Sequence, residues 1–335
     1  MEIIIGLLII AVGAFCQSSC YVPINKIKQW SWESYWIVQG LFAWLVLPLI
    51  GAMLAVPEGH SLGELFAQNP SAAGMTIFYG VLWGVGGLTF GLSMRYLGVA
   101  LGQSIALGTC AGLGTILAPV FTGHAADLTA SVIIGVVVTL VGIAIIGVAG
   151  GMKSASLSEE EKKAAVKDFN FTKGLLVALL AGFMSACFNI GLAKGESLFF
   201  EGVDPMFRTL PATFLVTLGG FATNAVYCFY QNSRNRTWGD YKQGSVWGNN
   251  LLFCLIAGAL WYSQFFGLAL GKGFLTESPV LTTFAFCILM ALNVVFSNVW
   301  GIILKEWKGC SAKTIAVLIA GIVVLIVSSF LPQLI

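Results

Sequence analysis

The residues of this sequence that could do chemistry are amides, hydroxyls and indoles inside long apolar stretches. Such groups are costly to bury in an apolar medium unless each has a polar partner or faces a wet cavity. A neutral polyol offers hydroxyl groups along its edge and C–H groups on its faces, and amides beside an aromatic ring can bind both. We therefore take the following as candidate substrate-binding residues: Gln17, Trp83, Gln103, Asn189, Trp261, Tyr262, Gln264, Asn293 and Asn298.

Two groups of these residues have the spacing of one helix face. Trp261 and Gln264 are three residues apart, and Asn293, Ser297 and Trp300 follow at spacings of four and three. Residues three or four apart lie on the same side of a helix, so each group would present an amide beside an indole. The alternative is that the amides join one helix to the next. Tryptophans can also anchor a chain among lipid headgroups, as we expect mainly of three others: Trp30, Trp32 and Trp36.

The sequence has few residues of the types and spacings that enzymes use for catalysis. Its 2 histidines, His60 and His124, fall in predicted outer loops, and its 8 cysteines show no CxxC spacing. No HExxH, GxSxG or P-loop pattern occurs, so no nucleophilic or metal-dependent catalysis is predicted. A lipid-processing membrane enzyme is the alternative left open. We predict no cofactor, metal or nucleic-acid partner, and an uncharged cargo, because the span centres lack a clear Asp, Glu, Lys or Arg.

The elements that must position these side chains are membrane-spanning helices. The chain is 58% hydrophobic and 10% charged, whereas a soluble domain is roughly 45 to 50% apolar and about 25% charged. A helix needs about 20 apolar residues to cross a bilayer. The first stretch lacks a basic leader segment and a cleavage site, so we expect it to remain as the first span. Ten such stretches predict an all-α integral membrane protein that the lipid bilayer surrounds, with spans near 3–22, 35–56, 74–94, 97–121, 129–150, 173–193, 206–230, 249–270, 280–304 and 313–334.

The polar segment 151–172 divides the chain into two halves, 1–150 and 173–335, of five spans each. GVLWG and FGL in the third span (80–84 and 90–92) resemble GALWY and FGL in the eighth (258–262 and 266–268). Repeats with an odd number of spans have opposite orientation, which predicts two inverted five-helix repeats. Chance similarity between glycine- and leucine-rich helices is the alternative. Small residues four apart also predict close packing within the chain, at Gly80/Gly84, Gly98/Gly102, Gly108/Gly112 and Gly267/Gly271.

Charge asymmetry predicts the orientation of the spans. If the loop after the first span is cytoplasmic, fourteen of the 17 lysines and arginines lie in inner segments and only Lys194, Arg208 and Lys272 lie in outer ones. Basic residues are retained on the cytoplasmic side. Both termini are therefore expected outside, and segment 151–172 inside.

Several blocks of the sequence resemble the L-rhamnose/proton symporter family of the drug/metabolite transporter superfamily. They are YVPINKIKQWSWE (21–33), LWGVGGLTFGLSMRYLG (82–98), GVDP (202–205), LWYSQFF (260–266) and LKEW (304–307). The resemblance implies a ten-helix fold, a central cavity between the halves, and proton-driven uptake of a deoxy sugar in a bacterial cytoplasmic (inner) membrane. The chain departs from the family pattern early in the ninth span, where Thr282 and Thr283 replace an acidic residue. The exact sugar and the coupling ion, H⁺ or Na⁺, therefore stay open.

The coupling acid is expected near a helix end. Glu33 in WSWE and Glu306 in LKEW are the candidates, with Arg95 on the same predicted side. They could form an ion-paired inner gate with nearby lysines, remain solvated loop charges, or include a proton carrier. The predicted function is uptake of L-rhamnose or a related monosaccharide by a monomeric secondary transporter. The alternatives are an exporter or exchanger of another neutral metabolite, or a membrane sensor that does not transport.

Overall fold

In the computed structural model of the protein, residues 2–97, 99–156, 170–305 and 307–335 are described. Within these ranges the side chains of residues 94, 95, 99–101, 103 and 171 are not described. The described residues contain helices and no strand. Ten helical segments are long and apolar enough to cross a membrane, which confirms the ten predicted spans.

We number the spans α1 to α10. Their bounds are Glu2–Ser19 (α1), Trp32–Met53 (α2), Pro70–Leu97 (α3), Val99–Thr122 (α4), Ala130–Ala155 (α5), Phe171–Lys194 (α6), Leu210–Asn235 (α7), Gly244–Gly273 (α8), Pro279–Ile303 (α9) and Ala312–Leu334 (α10). The helix α5 continues into the segment predicted as polar linker, and residues 157–169 of that segment lie outside the described ranges.

Sequence signals account for where several spans begin or change course. Three spans start after a residue whose hydroxyl oxygen accepts a hydrogen bond from the backbone N–H three residues later, a helix cap: Thr129 before α5, Ser278 before α9 and Ser311 before α10. The middle of α2 is a π-helical turn, Leu41–Val46, and its second α-helical part, Leu47–Met53, has Pro48 in its first turn.

The described chain divides into two compact units, and each contains residues from before and after the polar segment. Unit one is Met1–Gly84 with Gly191–Thr276, and unit two is Val85–Ile190 with Glu277–Ile335. Unit one thus holds α1, α2, α7 and α8, the start of α3 and the end of α6. These two units do not coincide with the predicted repeated halves, 1–150 and 173–335. The division into repeated halves stays a prediction.

In unit one, glycines let α3 and α7 approach backbone to backbone. A Cβ added at Gly80 would overlap the carbonyl oxygen of Val216, and one added at Gly84 would lie 2.7 Å from the Cβ of Thr223. The pair Gly80/Gly84 is therefore a packing seam within the chain, as predicted. The helices α1 and α8 meet in the same way, since a Cβ at Gly271 would lie 2.8 Å from the carbonyl oxygen of Gly6.

In unit two, α5 packs along α10. A Cβ added at Gly142 would lie 2.6 Å from a methyl carbon of Leu325. One turn away, the Thr139 hydroxyl donates to the hydroxyl of Ser328 across 3.0 Å, and both residues are fully buried. Gly108 and Gly112 make only ordinary contacts with α5, at 3.4 Å or more from an added Cβ. Close approach in unit two therefore involves α5 with α10, and also α6 with α4, where a Cβ added at Gly182 would lie 2.6 Å from the carbonyl oxygen of Ala106. Gly98 lies outside the described ranges, so the pair Gly98/Gly102 stays a prediction.

The Gly80 seam can be tested by adding one methyl group. Gly80→Ala should lower the thermal unfolding temperature in detergent, because overpacking a tight site costs roughly 1 to 3 kcal/mol. Gly74→Ala in the same helix is the matched control, since an added Cβ there meets nothing within 4 Å. The control should unfold at the temperature of the parent or slightly above it, because alanine favours helix. Equal unfolding temperatures for the two variants would show that the seam is not tight.

Candidate functional site

Four tryptophans of unit one form a contiguous aromatic cluster, which we call the tryptophan cluster: Trp36 and Trp44 of α2, Trp83 of α3 and Trp261 of α8. The ring centroid of Trp44 lies 5.5 Å from that of Trp36, 6.2 Å from that of Trp83 and 5.8 Å from that of Trp261. Trp83 and Trp261 are 5.7 Å apart. Such distances are those of interacting aromatic pairs, so three spans are joined around Trp44.

Neighbouring groups of α7 hold two of these indoles in place. The Trp36 Nε1 donates to Asn224 Oδ1 at 3.0 Å, and the Asn224 amide nitrogen in turn donates to the carbonyl oxygen of Gly220 at 2.8 Å. A Cβ added at Gly220 would overlap the Trp83 ring, so glycine lets this indole lie against α7. Trp36 is thus tied into unit one by this hydrogen bond, and its role as a headgroup anchor stays a prediction. Of the other two tryptophans so assigned, Trp30 is buried and Trp32 is 42% exposed.

Five of the predicted substrate-binding residues belong to unit one. Trp83 and Trp261 are in the tryptophan cluster. Gln264 is buried, and its Nε2 donates to the carbonyl oxygen of Trp261 at 3.1 Å, so part of this amide is bound within α8. Tyr262 points toward α2, because its hydroxyl occupies the place where a Cβ of Gly51 would be. Gln17, in α1, is partly buried.

The other predicted residues belong to unit two. The Asn189 amide nitrogen donates to the carbonyl oxygen of Gly114 at 2.8 Å and so joins α6 to α4. The Asn298 amide nitrogen donates to Val294 of its own helix at 2.9 Å, and Asn293 is buried. These bonds fit the alternative of amides that join helices or bond within one helix. The side chain of Gln103 lies outside the described part of the chain, and a substrate role for all four stays a prediction.

A second polar group, which we call the span-end network, connects the start of α2 with the segment between α7 and α8. Glu33 is 5% exposed, and its Oε1 accepts hydrogen bonds from Asn235 Nδ2 at 3.0 Å and from the Thr237 hydroxyl at 2.8 Å. The Asn232 amide nitrogen donates to the hydroxyls of Ser34 and Thr237, at 2.9 Å each. The Glu33 carboxylate is therefore held by neutral donors.

Asp240 is the second carboxylate of the span-end network. It is 8% exposed, and its Oδ2 accepts from the Ser31 backbone N–H at 2.8 Å, the Ser31 hydroxyl at 2.7 Å and the Ser34 hydroxyl at 2.8 Å. Burial raises the pKa of the Asp240 carboxyl, but the hydrogen bonds from Ser31 and Ser34 together lower that pKa below its usual value. The sequence analysis missed Asp240, which follows a tryptophan and a glycine in what reads as an ordinary polar loop.

The predicted gate requires an ion pair, and no described lysine or arginine forms a salt bridge with Glu33. The salt bridge that the described residues contain joins His60 to Glu64, at 3.4 Å. The side chain of Arg95, and Glu306 altogether, lie outside the described part of the chain. The gate therefore stays a prediction for those two residues, while Glu33 is held by an amide and a hydroxyl.

Comparison with known proteins decides the family of this chain. A family model described as L-rhamnose-proton symport protein matches residues 1–334. The L-rhamnose-proton symporter of Yersinia pestis (strain Pestoides F) is 31% identical over 341 residues, which cover 98% of this chain and 96% of that protein. The L-rhamnose-proton symporter of Citrobacter koseri is 31% identical over 331 residues, 95% of this chain and 94% of that protein. The chain belongs to the L-rhamnose-proton symporter family.

Membership in the L-rhamnose-proton symporter family confirms the resemblance found in the sequence. It also confirms the prediction of a multi-pass transporter rather than an enzyme, because the members of this family are symporters. The family match spans both polar groups described above. It does not assign a role to any single residue, so the tryptophan cluster and the span-end network have to be judged by their chemistry.

The hydrogen bonds that Asp240 accepts predict that the thermal stability of the protein depends on pH in the acid range. A carboxylate whose pKa is lower in the folded than in the unfolded state stabilises the fold above its ordinary pKa, and this contribution is lost as the pH falls through the folded value. Asp240→Asn should unfold at a lower temperature than the parent at pH 7, and the difference should shrink below about pH 4. Thermal unfolding in detergent from about pH 3 to pH 7 measures it.

Glu58→Gln, in an exposed loop, is the control for loss of one carboxylate and should follow the parent at every pH. If the Asp240→Asn and parent proteins differ by the same amount across the whole range, the three hydrogen bonds do not depend on the charge of Asp240.

Proposed function

We propose that the protein is a secondary active transporter that couples proton entry to uptake of L-rhamnose or a related monosaccharide. The observation that carries this proposal is the family match over residues 1–334. The tryptophan cluster supports it, because indoles beside amides suit a ring with hydroxyl edges and C–H faces. In this proposal Trp261 and Gln264 line the sugar site, with Gln17, Trp83 and Tyr262 near them. The protein works as a monomer.

The proposal includes two inverted five-helix repeats. In such repeats α1 corresponds to α6, α2 to α7 and α3 to α8. The packing of α1 on α8 should therefore be repeated by α6 on α3, and the packing of α2 on α8 by α7 on α3. Each of these pairs is in close contact: a Cβ at Gly191 of α6 would lie 3.4 Å from the carbonyl oxygen of Thr76 in α3, and one at Gly258 of α8 would lie 3.0 Å from that of Gln39 in α2. Such repeats are a common basis of alternating access in transporters.

The proposed location is the cytoplasmic membrane, with both termini outside. The span-end network would then face the cytoplasm. The charge count supports this orientation, since segments next to the network are rich in lysine and arginine. A phosphatase reporter, which is active only outside the cytoplasm, should be active when fused after Ile335. An inactive phosphatase there, together with an active cytoplasmic reporter at the same position, would reverse the proposed orientation.

Glu33 is proposed as the coupling acid. It is a buried carboxylate at a span end, and among the described residues it is held by Asn235 and Thr237 and by no cation. Donors to a carboxylate favour its charged form, so a conformational change that removes them would favour protonation. Proton binding at Glu33 would then accompany the movement of α2 relative to the segment between α7 and α8.

Uptake into proteoliposomes tests the transport proposal and the role of Glu33 together. The parent protein should accumulate labelled L-rhamnose when the proton gradient is directed inward, and only equilibrate it without a gradient. Glu33→Gln should lose accumulation but keep exchange of sugar across the membrane, because glutamine can still bond to Asn235 and Thr237 but cannot carry the proton. Glu64→Gln, an exposed carboxylate outside the spans, is the control and should accumulate sugar normally.

Two results would contradict these proposals separately. If the parent protein accumulates none of a panel of neutral monosaccharides under an inward proton gradient or an inward sodium gradient, it is not a monosaccharide symporter. If Glu33→Gln still concentrates L-rhamnose as the parent does, Glu33 is not the coupling acid.

A further inference from the structure

The π-helical turn in α2 is an unusual feature for the middle of a span. Within it, the backbone N–H of Leu47 donates to the carbonyl oxygen of Phe42, five residues back. Pro48 has no N–H, so it cannot donate to the carbonyl of Trp44 as an α-helix would require. π-helical turns inside helices are rare and occur frequently at functional sites. Trp44 lies in this turn.

The Trp44 ring is at the centre of the tryptophan cluster and is 3% exposed. It contacts the rings of Trp36, Trp83 and Trp261, whereas the other members contact fewer of the four. A Cβ added at Gly40 would lie on the Trp44 ring, within 2.5 Å of its Cε3. Glycine at position 40 therefore gives the indole the space that it occupies along α2.

The helices around this cluster carry buried polar atoms that have no protein partner among the described residues. On α1, α2 and α8, four such atoms have no hydrogen bond to any described residue: Gln17 Oε1, Gln39 Oε1, Trp44 Nε1 and Tyr262 Oη. Gln39 is 1% exposed and Tyr262 is 6% exposed. A buried polar group without a partner costs about 1 to 3 kcal/mol, so four of them on adjoining helices require an explanation.

Three of the four residues lie along the seam between α2 and α8, where their contacts fall between Gly258 and Tyr262 on α8 and between Gln39 and Gly51 on α2. The Gln39 backbone faces Gly258, the Trp44 ring contacts Trp261, and the Tyr262 hydroxyl contacts Gly51. Gln17 approaches from α1: it is one turn beyond Gly13, at which an added Cβ would lie 2.7 Å from the Ser263 carbonyl oxygen. The four unpaired atoms thus belong to α1, α2 and α8, three helices of unit one that pack against one another.

We propose that Gln39 and Trp44 are the specificity-determining contacts for the sugar, with the Trp44 indole as its stacking surface. This inference rests on the proposed transport function and adds residues that the sequence analysis did not select. A hydroxyl group both donates and accepts, so sugar hydroxyls can pair with the Gln39 and Gln17 oxygens, the Trp44 N–H and the Tyr262 hydroxyl. The C–H face and the methyl group of a deoxy sugar would lie on the indole.

The chemistry of these groups also selects the class of ligand. None of the tryptophan cluster residues or the four residues with unpaired atoms carries a charge, and a buried charged ligand would need an opposite charge. The region therefore suits a neutral monosaccharide with an apolar face. It does not suit a sugar phosphate, a sugar acid or an amino sugar.

A conservative substitution separates a binding role from a structural one. Gln39→Met keeps the size of the side chain and removes its amide. It should weaken L-rhamnose binding to the purified protein by about tenfold or more, a loss of about 1.4 kcal/mol, while the unfolding temperature without sugar stays the same or rises. The rise is expected because an unpaired buried amide is removed. Gln231→Met is the matched control, since Gln231 also has an unpaired Oε1 but lies at the far end of α7.

The control should bind L-rhamnose as the parent does. If Gln39→Met also binds as the parent does, the inference is wrong, and Gln39 is only a tolerated buried amide. Should Gln39→Met fail to fold, Trp44→Phe provides the second test, because it keeps an aromatic ring and removes the N–H. Weaker binding by Trp44→Phe supports the proposal, and unchanged binding contradicts it. A parent protein that binds none of the neutral monosaccharides would instead contradict the proposed function.

Discussion

A polar group inside the hydrocarbon layer must find a partner within the protein, and the structure depends on this constraint. It requires the ten apolar segments to be helices, since only a helix satisfies its own backbone there. It also accounts for side chains that bond across helices, such as Asn189 to the carbonyl of Gly114 and Thr139 to Ser328. Others bond back to their own helix, as Thr217 does to Thr213. Each of these donors has an acceptor within the protein.

The same constraint makes the exceptions informative. The side-chain amide of Asn224 is bonded at both polar atoms, because its oxygen accepts from the Trp36 indole N–H and its nitrogen donates to the carbonyl oxygen of Gly220. The oxygens of Gln39 and Gln17 are not used by any described residue, although both are buried. A polar atom that is buried and unpaired costs free energy, and a ligand that binds it would offset that cost. In a chain of the L-rhamnose-proton symporter family, a sugar with several hydroxyls is the ligand that would do so.

The two carboxylates of the span-end network show how charge is kept at the edge of such a structure. Both are almost fully buried, yet they lie at the start of α2 and beside α7, where hydroxyls, amides and backbone N–H groups can reach them. Ser34 connects the two halves of the network because its hydroxyl donates to Asp240 and accepts from Asn232. A carboxylate bound only by neutral donors can take up a proton without leaving a cation unpaired, which suits a coupling group better than a salt bridge would.

The sequence predicted the ten spans because the length of an apolar run is set by the bilayer. It also indicated Trp83 and Trp261 as indoles near polar groups of the spans, and the glycines at 80 and 84 by their spacing of four residues. It did not indicate Trp44, which lies in the continuous apolar run LFAWLV and whose position depends on a π-helical turn that periodicity does not show. Asp240 was missed because burial of a loop carboxylate depends on serines about 200 residues away. The grouping into units follows from contacts between distant spans, which no local pattern encodes.

In our proposal, the unpaired polar atoms of Gln39 and Trp44 bind the sugar. A structure of the purified protein with L-rhamnose bound tests it most directly. The account predicts sugar density against the Trp44 indole, with a hydroxyl within hydrogen-bonding distance of Gln39 Oε1 or Trp44 Nε1. Sugar density bound elsewhere in the chain, with Gln39 and Trp44 still unpaired and still in contact only with protein, would contradict it.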